Sequence, residues 1–240
     1  MYSHTNIQLF DQLIRQGYST KEIGTVLYSY ELSVHLFTGR FQPSGNVFIS
    51  HTVRTASILA GLQAPVEVIA AGLIHSVYWT GDFGDAGTGI SDSKRNLIRQ
   101  AVGEAVEEYV YRYCVLPWNI QSIPILRNRI DELGLDERNL ILMKLANDLE
   151  HHLDGELLYY GYKERQRLIQ QGDIMVDLAQ KLGFPKLADD LSRVVKKSAS
   201  AEVPEEIQKL TNSRRKYEVI LASGEHESRV ILPRSCKSEY

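Results

Sequence analysis

An all-α helical bundle with a small C-terminal β-hairpin or tail is the fold this sequence predicts, and three observations predict it. Apolar residues recur at helical spacing through most of the first 198 positions, the pattern of helices that bury one face. The most hydrophobic run, Val66 to Ile74, is apolar nearly all round and suits a central buried helix. After Ser198 the character changes. Ala199 to Arg215 is polar and includes Pro204, and the basic Arg214-Arg215-Lys216 follows. Tyr217 to Ala222 and Arg229 to Leu232 then form two short β-branched-rich runs around Gly224-Glu225. The division expected is a helical domain over 1–198 and a tail over 199–240. A hairpin in that tail would need the helical body or a partner to dock on.

The elements follow in order. Ile7, Leu9, Phe10, Leu13 and Ile14 mark an amphipathic helix over 5–16 that stops near Gly17. Ser19 with Glu22 is a capping-box pair, so a second helix runs from there to about Thr38. Gly39 to Asn46, with Pro43, is a loop. The third helix covers about 48–62, and Pro65 suits the first position of a fourth that ends near His75 to Tyr78. The glycines of Thr80 to Gly89 lack the strand-before-helix setting of a dinucleotide fingerprint, so a flexible flap rather than a phosphate cradle is expected here. Helices are expected again at 92–102 and 104–116. After Pro117, one begins at Pro124 and runs to about 133. Asp136 is the expected cap of the next, which carries Leu140, Leu142, Leu145 and Leu149, and two more fit 162–182 and 185–197.

Composition removes several function classes. A formal charge of −3 and an isoelectric point near 6.2 offer no electrostatic reason for a nucleic-acid partner. The longest apolar run, about 64–78, contains Glu67 and His75 and is shorter than the roughly 20 residues of a spanning helix. The first residues are polar and lack a signal-peptide core, so a cytoplasmic location is the default expectation. Cys114 and Cys236 do not make a disulfide framework.

Chemistry concentrates around two histidines. His51 follows the Gly45-containing loop at the start of an amphipathic run, and His75 closes the apolar run. Imidazoles on consecutive buried helices can face one pocket, which is how helical metal sites are commonly built. Two core histidines, each satisfied by a hydrogen bond, are the plain alternative. Arg54, one turn after His51, suits a phosphate or carboxylate in the same pocket, or simply pairs with a glutamate.

The residues also resemble a family. Residues 31–155 resemble the hydrolase domain of the RelA/SpoT-type (p)ppGpp enzymes and their small stand-alone relatives, within the HD superfamily. His35, Arg40, Pro43, Gly45, Phe48-Ile49 and His51 fall in the order and spacing of that family's opening segment. Ala70-Ala71-Gly72-Leu73-Ile74-His75-Ser76 is similar to its Ala-Ala-Leu-Leu-His-Asp, Gly103 to Tyr111 to the segment after it, and Lys144-Leu145-Ala146-Asn147 to its Lys-Leu-Ala-Asp. The string His75 to Thr80 is also similar to an uncharacterised bacterial group of HD-like proteins.

That resemblance implies an HD-like bundle in which His51 and His75 are the metal imidazoles. It also shows what has changed. Ser76 stands in place of the HD aspartate, Asn147 in place of the last metal aspartate, and Trp79-Thr80 in place of the catalytic Glu-Asp pair. Without carboxylates the site loses much of its attraction for a hard cation such as Mn, so no cofactor is expected, with a divalent metal at His51 and His75 at most weakly held. The implied pocket would use Arg40, His51, Arg54, His75, Ser76, Tyr78, Lys144, Asn147 and His151 to bind a ligand. Metal-free acid-base chemistry would draw on His51, His75, Tyr78 and Asp148. The expected function is a degenerate HD protein that binds a nucleotide or other anionic small molecule without hydrolysing (p)ppGpp. Its alternatives are an atypical HD-type enzyme using the same pocket, and a protein-interaction module, homo-oligomeric or partnered through the tail.

Overall fold

A computed structural model describes residues 2–42, 44–85, 87–155, 162–202 and 204–205. These residues are all-α, with one isolated antiparallel bridge between Phe41 and Val47. The expected strands at 217–222 and 229–232 lie outside them.

Local chemistry sets where the first helices start. α1 (Asn6–Arg15) and α2 (Thr20–Phe37) open on Thr5 and Ser19, whose hydroxyls accept from backbone N–H groups while Gln8 and Glu22 reach back to the cap. α3 (Phe48–Gly61) follows the loop closed by the Phe41–Val47 bridge, with Gln42 N–H donating to Asn46 O and Phe48 N–H to Arg40 O. α4 (Val66–Gly72) is the centre, with Val68, Ile69, Ala70 and Ala71 fully buried. It packs against α2, α3, α7 (Glu104–Val115) and α9 (Leu135–Asp154). Each fully buried Leu or Ile in such a core contributes about 1.5–3 kcal/mol.

The expected fourth helix is broken. α4 ends at Gly72, the next residues turn with three-residue hydrogen bonds (Leu73 N–H to Ala70 O, Ile74 N–H to Ala71 O), and a short α5 (Val77–Thr80) resumes. The cause is side-chain competition: Gly72 O accepts a hydrogen bond from His75 Nδ1 at 2.8 Å in place of the backbone donor a continued helix would supply. Gly72 matters sterically as well. A Cβ there would stand 2.7 Å from Leu59 Cδ1 and 3.6 Å from Ala56 Cα, so its absence lets α3 and α4 cross closely.

α6 (Asp92–Val102) and α7 are separated by Gly103, whose φ of 90° favours glycine. Between α5 and α6 the glycine-rich stretch is pinned: Asp82 N–H donates to Leu36 O, Gly89 N–H to Tyr78 O, and Lys94 Nζ to Gly87 O. α8 (Ser122–Asn128) begins two residues before the expected Pro124, and a 3-10 turn (Ile130–Glu132) follows. Proline is tolerated there because first-turn residues need no intrahelical N–H. α9 starts after Gly134, and Asp136, expected as its cap, instead accepts from Tyr109 Oη at 2.9 Å. α10 (Tyr162–Lys181) and α11 (Pro185–Ser200) pack against each other and against α9. No helix among the described residues is long and apolar enough to cross a membrane.

Candidate functional site

The close crossing of α3 and α4 brings two imidazoles together edge to face, their planes 64° apart. His51, one turn into α3, and His75, in the turn after α4, are 1% and 3% exposed, and their Nε2 atoms are 3.3 Å apart. Their outer nitrogens are both engaged. His51 Nδ1 meets the fully buried Glu150 carboxyl of α9, and His75 Nδ1 meets Gly72 O.

Tautomers follow from these partners. A carbonyl can only accept, so His75 Nδ1 carries a proton. Burial, followed by the proximity of His51, holds His75 well below the ordinary imidazole pKa, so it is neutral and its Nε2 is a lone pair. His51 Nε2–H is then the donor across the 3.3 Å contact. Burial lifts Glu150 to about 7 against the pull of His151 and Arg54. The Glu150–His51 contact therefore holds one proton near neutrality, and hydrogen bonding runs in one direction, from Glu150 to Gly72 O.

A cavity of about 320 Å³ opens beside this pair. The loop before α3 contributes Phe41 and Gln42, α3 contributes Phe48 and His51, and the α4–α5 turn contributes His75, Ser76 and Trp79. Tyr113 and Cys114 come from α7. From α9 come Lys144, Asn147 and His151, a stripe at helical spacing. No carboxylate is among the described lining residues. Ser76 Oγ and Asn147 Oδ1 are buried without a hydrogen-bond partner. Lys144 Nζ lies 3.7 Å from the Tyr113 ring centre, and the Asp148 carboxylate acts on it from one turn further along α9. Burial brings its pKa down to about 8. Burial likewise raises the Cys114 thiol to about 11, and its Sγ donates to His75 O at 3.3 Å.

Six of the residues expected at the pocket line this one cavity: His51, His75, Ser76, Lys144, Asn147 and His151. Four lie elsewhere. Arg54 is buried between Glu150 at 3.1 Å and Asp154 at 3.2 Å, with His4 Nδ1 3.2 Å from its other nitrogen. Arg40 lines a second cavity, of about 350 Å³, with His4, Tyr30 and Ile49, and stands 3.9 Å from Asp82. Tyr78 donates to Glu107 at 2.6 Å inside a buried cluster that Arg95 and Arg99 complete. Asp148 accepts from Trp118 Nε1 at 2.7 Å.

From the sequence, Glu150 is by default part of a solvated helix face, with Asp148, Glu150, His151 and Asp82 as the carboxylates and imidazole that could stand in for the missing metal ligands. The readable signal was its position: it follows Met143 and Ala146 at helical spacing, and both are buried. A carboxylate in such a stripe is either paired or functional.

Metal fit can be tested on the donors. About 3.3 Å is the edge of a tetrahedron with metal–nitrogen bonds of about 2.0–2.1 Å, and both imidazoles have the outer acceptor that metal-bound histidines usually have. The nearby orphan oxygens of Ser76 and Asn147 are neutral. His51, Glu150 and His151 also bring ligand atoms within 4.8 Å of one another. Imidazoles with neutral oxygens suit a borderline cation such as Zn better than Mn or Mg.

Fold and site together define an all-α protein with an imidazole-lined cavity. Within it, residues 34–118 match a family described as a domain of unknown function, DUF6817. No curated protein matches the chain.

Proposed function

We propose that this chain is a degenerate HD-like protein, related to the RelA/SpoT-type hydrolase domain, whose cavity binds a nucleotide or other anionic small molecule directly and does not hydrolyse (p)ppGpp. The observation that carries this reading is the lining. It presents one ammonium, three imidazoles, two amides (Gln42 and Asn147) and two hydroxyls (Ser76 and Tyr113), with no carboxylate among the described residues. Such a surface attracts an anion and offers little to a hard cation. Phe41 and Trp79 are 47% and 57% exposed at this cavity, which suits them to cover a planar group. Ser76 and Asn147 supply polar atoms that lack protein partners.

The test is thermal stabilisation by a panel of guanine and adenine nucleotides, pyrophosphate and inorganic phosphate. At least one should raise the melting temperature, by an amount set by its concentration over Kd. The effect should vanish in His151→Ala and Asn147→Ala while the unliganded melting temperatures stay within a few degrees. If no anion stabilises the chain, the reading fails.

The 3.3 Å contact between Nε2 atoms favours a second reading, in which a borderline divalent cation replaces the shared proton and anchors the anion. Stoichiometric Zn after purification with added Zn and Mn, lost on His51→Ala, would select it.

A further inference from the structure

We infer that Lys144 is a nucleophilic amine that forms an imine with a small anionic carbonyl compound, a 2-oxo acid being the simplest, held in the cavity. This rests on the anion-binding reading of the same cavity and adds a covalent step to it.

Placement is the first support. Lys144 Nζ lines the cavity, and the Asp148 carboxylate one turn further along α9 acts on it without outweighing burial. Its close neighbour is the face of Tyr113, which attracts a cation but cannot take its proton. Burial brings this amine to about 8, so roughly a tenth is neutral at pH 7.

The surrounding groups fit the reaction. The amine lone pair adds to the carbonyl carbon, the C=O π bond breaks, and the oxygen takes a proton, giving a carbinolamine. Loss of one water then gives the imine; no oxidant or reductant is consumed. Asn147, one turn after Lys144 on α9, has an unpartnered Oδ1 that can accept from the carbinolamine hydroxyl, and Ser76 has an unpartnered Oγ that can donate to the carbonyl. His151 lines the same cavity outside the His51–His75 hydrogen bond and can carry the protons. The competing nucleophile is quiet: the Cys114 thiol is held protonated and hydrogen-bonded to His75 O.

The experiment uses the full chain with pyruvate as the probe and borohydride as the trap, followed by intact mass and peptide mapping. One reduced adduct should appear on Lys144 at least tenfold faster than on the exposed Lys21, Lys186, Lys196 or Lys197. Its rate should rise with pH and level off above about 8. Lys144→Arg, which keeps charge and ring contact, should abolish the adduct; if that variant does not fold, Lys144→Met is the replacement. Labelling of Lys144 no faster than of exposed lysines overturns the imine. So does an adduct of undiminished rate in a folded Lys144 variant. The two readings fail separately. Stabilisation by inorganic phosphate without trapping keeps the anion pocket and removes the imine. Trapping at Lys144 without stabilisation or protection by any anion does the reverse.

Discussion

Tyr78 and Trp79 are adjacent in the chain and serve different sites, because one helical step turns a side chain by about 100°. Trp79 stands at the cavity, whereas Tyr78 joins Arg95 and Arg99 around the Glu107 carboxylate. Burial pushes Glu107 up, but its hydrogen bonds from Arg95 and Tyr78 outweigh that and keep it ionised. Tyr78→Phe removes one charge-assisted bond and should cost about 1.5–3 kcal/mol in urea unfolding. Anion binding in the cavity should be unchanged, and a binding loss without a stability loss would put Tyr78 back at the site. Arg54 shows the same limit on reading roles from sequence. Its spacing after His51 was legible, but its two carboxylate partners, Glu150 and Asp154, lie on a helix far along the chain. Arg54→Ala should therefore destabilise by about 3–5 kcal/mol, since it strands buried charge, a loss that chemical denaturation would register.

Helices α1, α2, α3, α6, α7, α10 and α11 were legible to within a residue or a few, because capping boxes, glycines and apolar period all agree with the final fold. The break after Gly72 was not legible, since it depends on a side chain, His75, competing for a backbone carbonyl. Gly81 ends α5 for a reason visible only in three dimensions. A Cβ there would meet Val77 O at 2.6 Å and Val77 Cγ2 at 3.0 Å. Gly81→Ala should cost about 1–3 kcal/mol, as overpacking usually does. Gly134→Ala is its control. There the added Cβ would meet only the carboxylate end of a half-exposed Glu137, at 2.9 Å, which can shift while keeping its pairing with Arg112, so the change should stay within about 0.5 kcal/mol. Equal effects in thermal melts of the two variants would contradict this account.

Across the whole molecule, α9 ties the amino-terminal helices to α10 and α11. His152 Nδ1 lies 2.9 Å from Ser198 Oγ of α11, and burial lowers this imidazole from 6.5 to about 4. Between those values the unfolded chain binds a proton that the folded chain does not. Its contribution is complete above about pH 6.5 and is lost as pH falls toward 4, up to about 3 kcal/mol. His152→Gln should flatten that acid loss, and an unchanged slope of melting temperature against pH would refute the assignment. The same helix makes residues 34–118 insufficient alone. Leu142, Leu145 and Leu149 of α9 share the core with α3 and α4, so that fragment should melt without cooperativity by circular dichroism. Lys144, Asn147 and His151 all lie beyond the matched segment. The matched segment and the cavity thus have different boundaries. A chain that resembles this one over 34–118 shares the cavity lining only if a downstream helix also spells Lys-x-x-Asn-x-x-x-His. That eight-residue pattern separates chains that share the cavity from chains that share only its scaffold.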